Sequence, residues 1–354
     1  MTETYYTPDR DFLIREFRDN PEYTLHTAVV HGNLPQIREL LTADYDIDKL
    51  HDYEGTSKGR GTPLHVAIWS NQPAAFELLI IRGADIDLVD AGDEMRFPDT
   101  PIRVAVRLGR RAMFKRLWDL GAERNKYPSN MRTRHSLVEV AACDGQAHVL
   151  RDLLHWDESW TEDQRIRALM MACNQGHVLV ITTLLGECAY STTVLENAIS
   201  AAMVAEFPLD TWCKASEHEK KRKQQERSMR RAATVMHLLD EHNRVGSVDG
   251  TQTYDCSALL NQLVYRGAAS QGYVDVLRLV LAKGADPNVV GREGNTPLHK
   301  AMTRGGHGMG DYNEKGVVVL LEHGAKVDVR NEKGETVGDI ANRERKYKER
   351  WVRG

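Results

Sequence analysis

Apolar residues recur along this chain in short blocks at helical spacing, Leu64, Ala67 and Ile68 being the clearest. Each block is followed by a small turn residue and a second run that ends in leucines and then Gly-Ala plus a polar residue. Leu78-Leu79 precedes Gly83-Ala84-Asp85, and Leu117 precedes Gly121-Ala122-Glu123. Leu279 and Leu281 precede Gly284-Ala285-Asp286, and Leu320-Leu321 precedes Gly324-Ala325-Lys326. The spacing predicts pairs of helices. Thr62-Pro63-Leu64-His65, Thr296-Pro297-Leu298-His299, Thr100-Pro101-Ile102-Arg103 and the shorter Thr24-Leu25-His26 supply the starts. Thr is a good helix N-cap, and Pro at the next position loses no hydrogen bond, because the first helical N–H has no partner inside the helix. Gly32, Asn71, Gly109, Gly145, Gly176, Gly272 and Gly305 are expected to end the first helices in left-handed turns, the last two lying 33 residues apart.

Taken together, these motifs resemble the ankyrin repeat, most closely at residues 62–89 and 263–341. The resemblance implies an all-α solenoid of helix-turn-helix units joined by β-hairpin fingers. About eight repeats fit, with first helices around Leu25, Leu64, Ile102, Val138, Leu169, Leu195, Tyr265 and Leu298. Length alone suggests roughly two domains. The repeat replaces that expectation with one quasi-linear core, because no unit buries its apolar face alone and stability sums over neighbour interfaces. The expected organisation is a capping helix over 1–20, an ankyrin-repeat domain over 21–341 and a basic tail over 342–354.

Departures from the repeat mark loops. His51 to Gly61 and Ala91 to Asp99 lengthen two fingers, and insertions fall at about 203–231 and 306–316. The first insertion holds Lys220-Lys221-Arg222-Lys223 and, from Lys214 to Arg231, eight basic against three acidic residues. It reads first as a charged helix extension, then as a tract for nuclear import or an anionic partner. The second, Gly305 to Asp311, is glycine-rich, but it joins two helices and lacks the strand before it and the Gly-Lys-Ser/Thr ending of a phosphate loop.

The overall charge is −4, from 47 Lys and Arg against 51 Asp and Glu, which speaks against a nucleic-acid partner drawn by charge alone. No apolar run reaches the length of a membrane span. The five cysteines are odd in number and lack finger spacing, so the expectation is a reducing compartment, cytoplasmic or nuclear, with no disulfide framework and no structural zinc.

The resemblance also places the two residues before each turn residue in a concave groove. Among them Trp69 reads as an exposed aromatic anchor, with Arg107, Asp144, Asn174 and Arg304 beside it. In the resembled family the histidine of Thr-Pro-Leu-His ties adjacent repeats. Here Arg103, Glu139, Met170, Glu196 and Arg266 replace it. Ionised groups near a stack interior need partners. They either pair between neighbouring repeats or flank a polar pocket in which Glu139, Glu196 and Asp144 could do acid/base work. The leading expectation is a monomeric, non-enzymatic scaffold without cofactor or metal. It binds a protein or peptide through Trp69, Arg103, Arg107, Asp144, Asn174, Arg266 and Arg304. The alternative is an enzyme or small-molecule receptor in the degenerate central repeats.

Overall fold

The computed structural model describes residues 24–42, 45–50, 61–90, 99–126, 135–157, 159–204, 217–249, 260, 271–302 and 314–343. The expected cap over 1–20, most of the tail and the loop at 303–313 lie outside the described residues, as do Arg266 and Arg304. The chain divides into two compact bodies, Met1–Met171 and Ala172–Gly354.

In the amino-terminal body four helical hairpins follow one another. They are α1 (Thr24–His31) with α2 (Leu34–Thr42), α3 (Pro63–Trp69) with α4 (Pro73–Ile81), α5 (Pro101–Arg107) with α6 (Arg111–Asp119), and α7 (Leu137–Cys143) with α8 (Ala147–Trp156). The first helices α1, α3, α5 and α7 pack in a row, and the second helices α2, α4 and α6 form a second row behind them. This placement explains the sequence of the first helices. Every residue of α3 and of α5 is buried, polar ones included, because each is enclosed by its own second helix and by neighbours on both sides. The second helix α6 instead buries Met113, Phe114 and Leu117 and leaves its charged face in water.

The expected turns are present. Gly32, Asn71, Gly109, Gly145 and Gly176 all have positive φ, between 54° and 74°. Gly272 differs, falling in the first turn of a helix.

A longer helix, α9 (Glu162–Gln175), crosses the division between the bodies. The carboxy-terminal body continues with α10 (Val178–Glu187), α11 (Thr192–Val204), α12 (Glu217–Asp249), α13 (Gln271–Ala282), α14 (Pro297–Met302), α15 (Glu314–Glu322) and a last helix at 337–343. The part of the basic insertion from Glu217 to Arg231 forms the front of α12, a single 33-residue helix. Its carboxy-terminal half buries Val235, Leu238 and Leu239, and it packs on α10, α11 and α13. Ahead of Arg231, the residues whose burial is described, Arg222, Glu226, Met229 and Arg230, are exposed.

The β-hairpin fingers require correction: the described residues contain no strand. Three connectors are bridged across their base by one backbone bond each, Asp90 N–H to the Asp99 carbonyl (3.0 Å), Gly291 N–H to Asn295 (2.9 Å) and Asn331 N–H to Glu335 (3.0 Å). A ladder does not extend from it because short acidic and amide side chains capture the neighbouring N–H groups. Asp90 Oδ1 takes the Asp99 N–H at 2.8 Å and Asn331 Oδ1 the Glu335 N–H at 2.9 Å; farther from the bridge Asp46, Asp85 and Asp286 each take, through Oδ1, the N–H two residues on, of Asp48, Asp87 and Asn288. The second residue of each of these last pairs then reaches the next repeat: Asp48 accepts from Asp85 N–H, Asp87 from Glu123 N–H and Asn288 from Lys326 N–H. Among the described residues adjacent repeats are joined at this edge mainly by side-chain-to-backbone bonds, with one backbone bond between connectors, Glu332 N–H to the Glu293 carbonyl at 3.1 Å.

Candidate functional site

The joints between first helices are built on one recurring arrangement. Thr62 N–H donates to Nδ1 of His65 at 3.3 Å, and the Thr62 hydroxyl lies 2.8 Å from the same nitrogen. The ring proton therefore sits on Nε2, which donates to the Asp99 carbonyl of the next repeat at 3.2 Å. His26 reaches the Gly61 carbonyl, and His299 the Glu335 carbonyl, in the same way.

Arg103 takes over this role with a different side chain. Its Nη1 donates to the His135 carbonyl at 2.8 Å, the equivalent acceptor, while its Nε turns to Asp99 Oδ1 at 2.9 Å. The substitution has a local cost, since Thr100 Oγ1, buried and without a histidine to meet, makes no hydrogen bond. Glu139 inverts the joint. A carboxylate cannot donate, so Oε2 accepts from the Ser136 N–H and hydroxyl (both 2.6 Å), and Arg167 of the following repeat donates back to Oε1 at 2.5 Å.

Asp99 is the hub that sequence reading missed, having been assigned to a lengthened finger. Its Oδ1 holds Arg103, its Oδ2 holds Arg107 Nε at 3.0 Å, its N–H donates to Asp90 Oδ1, and its carbonyl accepts from His65. The signal was present in the four-residue step from Asp99 to Arg103, one helical turn. Arg107 Nη1 continues the chain to Asp144 Oδ2 at 2.9 Å. Burial decreases outward: Asp99 and Arg103 are 1% exposed, Arg107 9%, and Asp144 21%. Burial pushes the Asp144 carboxyl up to about 6, outweighing the pull of Arg107, and the nearby Asp99 charge adds to the rise.

The remaining expected site residues are dispersed. Trp69 is buried rather than presented to solvent. Its indole lies over Gly61, where a Cβ would come within 2.4 Å of the ring, and beside His65 with ring centroids 5.8 Å apart. Asn174 is exposed on α9. Glu196 lies in the carboxy-terminal body, 3.5 Å from Nε2 of the buried His242, so Glu139 and Glu196 belong to different bodies. Burial raises the Cys173 thiol to about 12, which removes it as a nucleophile near neutral pH. Among the described residues no group of three His, Cys, Asp or Glu side chains could hold a metal ion, and no helix is long and apolar enough to cross a membrane.

Helical hairpins tied joint by joint through a capping residue define a repeat protein. The repeats are of the ankyrin type. Ankyrin-repeat family profiles match residues 9–90, 267–308 and 293–332. A protein fem-1 homolog of Drosophila melanogaster is 43% identical over 63 residues, which are 18% of this chain and 9% of that protein. A transient receptor potential cation channel subfamily A member 1 homolog of Caenorhabditis elegans is 27% identical over 168 residues, 46% of this chain and 13% of that protein. The chain thus spans only a small part of either relative's length.

Proposed function

We propose that this protein is a non-enzymatic interaction scaffold whose first-helix row in the amino-terminal body holds a protein or peptide partner. The observation that carries the reading is the Arg107–Asp144 pair. It is contributed by two successive repeats and is the outer end of a charged chain whose inner members are buried. The buried links set the spacing between repeats, so a partner meets a preformed surface and little ordering is required on binding. The family supports the same reading, while fold alone does not fix function. The acid/base alternative does not have its three carboxylates together, since both oxygens of Glu139 are engaged in joining repeats and Glu196 belongs to the carboxy-terminal body. The compartment we propose is the cytoplasm or the nucleus, on the odd and unpatterned cysteines.

The test is site-specific photo-cross-linking in the native cell. A photoreactive residue at His31 or Leu108, both immediately before a turn glycine as Asp144 is, should capture one defined protein. The same residue at Ile81 or Leu179, exposed on second helices, should not. Equal capture from both sets of positions, or none from either, would sink the proposal.

A further inference from the structure

Asp144 is left in an unusual position by the network that holds it. Oδ2 is engaged by Arg107, but among the described residues Oδ1 accepts no hydrogen bond. Arg107 is itself divided, giving its Nε to Asp99 and only Nη1 to Asp144. The charged groups that act on Asp144 are Arg107, Asp99 and Arg103. Two guanidinium groups, Arg103 and Arg107, are set among three carboxylates, Asp90, Asp99 and Asp144, so positive charge in the cluster does not exceed negative. A mostly buried carboxylate with one open oxygen gains more from a cation than from a neutral donor, because charge-assisted bonds are roughly twice as strong.

We infer that Asp144 is the docking point for a cationic side chain, a lysine or an arginine, carried by the partner that the first-helix row holds. The inference rests on the scaffold reading and adds the chemistry of the ligand. The cation approaches Oδ1 from the open side while Arg107 keeps Oδ2, so the contact is single-pronged and a lysine serves as well as an arginine. Repulsion from Arg107 limits it to one cation. Asp144 must be ionised to receive it, and because burial favours the protonated form, the contact weakens as the medium is acidified through about pH 6.

The test is selection of random dodecapeptides displayed on phage against the full chain at about pH 7.5, followed by affinity measurement on synthetic copies. The expected result is a family of peptides sharing a lysine or arginine at one position. Replacing that residue by methionine should weaken binding about tenfold or more, and Asp144→Asn should weaken the parent peptide by a similar factor while leaving the methionine peptide unaffected. Asp144→Glu, which keeps the charge, should retain binding. Affinity of the wild type should fall about tenfold between about pH 7.5 and pH 5, and that of Asp144→Asn should not. Should Asp144→Asn fail to fold, the methionine peptide and the wild-type pH profile decide. Enriched peptides without a shared cation, or bound equally by Asp144→Asn, overturn the inference and leave the scaffold reading standing. A library that enriches nothing overturns both.

Discussion

Gln146 reaches back one repeat and closes on the turn at Gly109. Its Nε2 donates to the Arg107 carbonyl at 2.9 Å, and its Oε1 lies where a Cβ on Gly109 would come within 2.2 Å. Gln72 does the same two repeats earlier, donating to the Val30 carbonyl beside Gly32. The turn glycines therefore serve two purposes, positive φ and room for the next repeat's glutamine.

Gly109→Ala should expose both. The left-handed backbone costs about 1–2 kcal/mol for any residue with a Cβ, and displacing Gln146 adds about 1–3 kcal/mol by stranding a buried carbonyl. Gly121 has φ +80° but nothing within 4 Å of a Cβ, so Gly121→Ala should lose only the backbone part. Denaturant midpoints for the two variants check this; equal losses would show that the glutamine yields freely.

Arg103 can be interrogated with two substitutions. Arg103→Ala strands Asp99 Oδ1 and the His135 carbonyl in the interior and should cost about 3–5 kcal/mol. Arg103→His restores the arrangement seen at His65, giving Thr100 Oγ1 a partner and the His135 carbonyl a donor. It should cost clearly less than the alanine variant in equilibrium unfolding. A histidine variant as unstable as the alanine one would mean that the Asp99 pair, and not the joint, is what the fold requires here.

The inverted joint predicts a measurable coupling. A double-mutant cycle with Glu139→Gln and Arg167→Ala should return an interaction of about 1 kcal/mol, held down because Arg167 is half exposed. The same cycle on Lys115 and Asp119, an exposed pair within α6, should give about 0.3–0.5 kcal/mol at most. Cycles of equal size would place Glu139 among ordinary surface pairs.

Asp144 makes stability depend on pH in an unusual direction for a carboxylate. Its native value, about 6, lies above the ordinary 3.8, so across that window the native state holds a proton that the unfolded chain has released. The stability this group contributes is fully present below about pH 4 and is lost as pH rises through about 6, a change on the order of 3 kcal/mol. Asp144→Asn should therefore gain on the wild type as pH rises from about 4 to about 7. Parallel profiles from urea unfolding would contradict this, as would an Asp144 carboxyl that titrates near 4 by NMR.

The parts of this structure legible in the sequence are those determined within a few residues. Thr62 with His65 and Thr296 with His299 form their caps locally, and Gly32, Asn71 and Gly109 adopt the conformation their positions demand. What depended on partners far along the chain was not legible. Asp99 looked like the end of a loop because the groups that define it, His65, Arg107 and Asp90, lie up to 34 residues away. Trp69 looked like an anchor because Gly61, which makes space for its ring, belongs to the preceding connector. The absence of strands among the described residues follows from Asx side chains such as Asp90 and Asn331, whose competition for backbone N–H groups propensity alone does not weigh against a hairpin.

The inverted joint at Glu139 gives the repeats a fixed order. At the described joints formed by His26, His65 and Arg103 the donor lies in the earlier repeat and the acceptor in the later one; at Glu139 the donor lies in the later. A gene rearrangement that duplicated or deleted one whole repeat at this boundary would bring two donors or two acceptors face to face. The pair carrying Glu139 and Arg167 must therefore be inherited together, as a single two-repeat cassette.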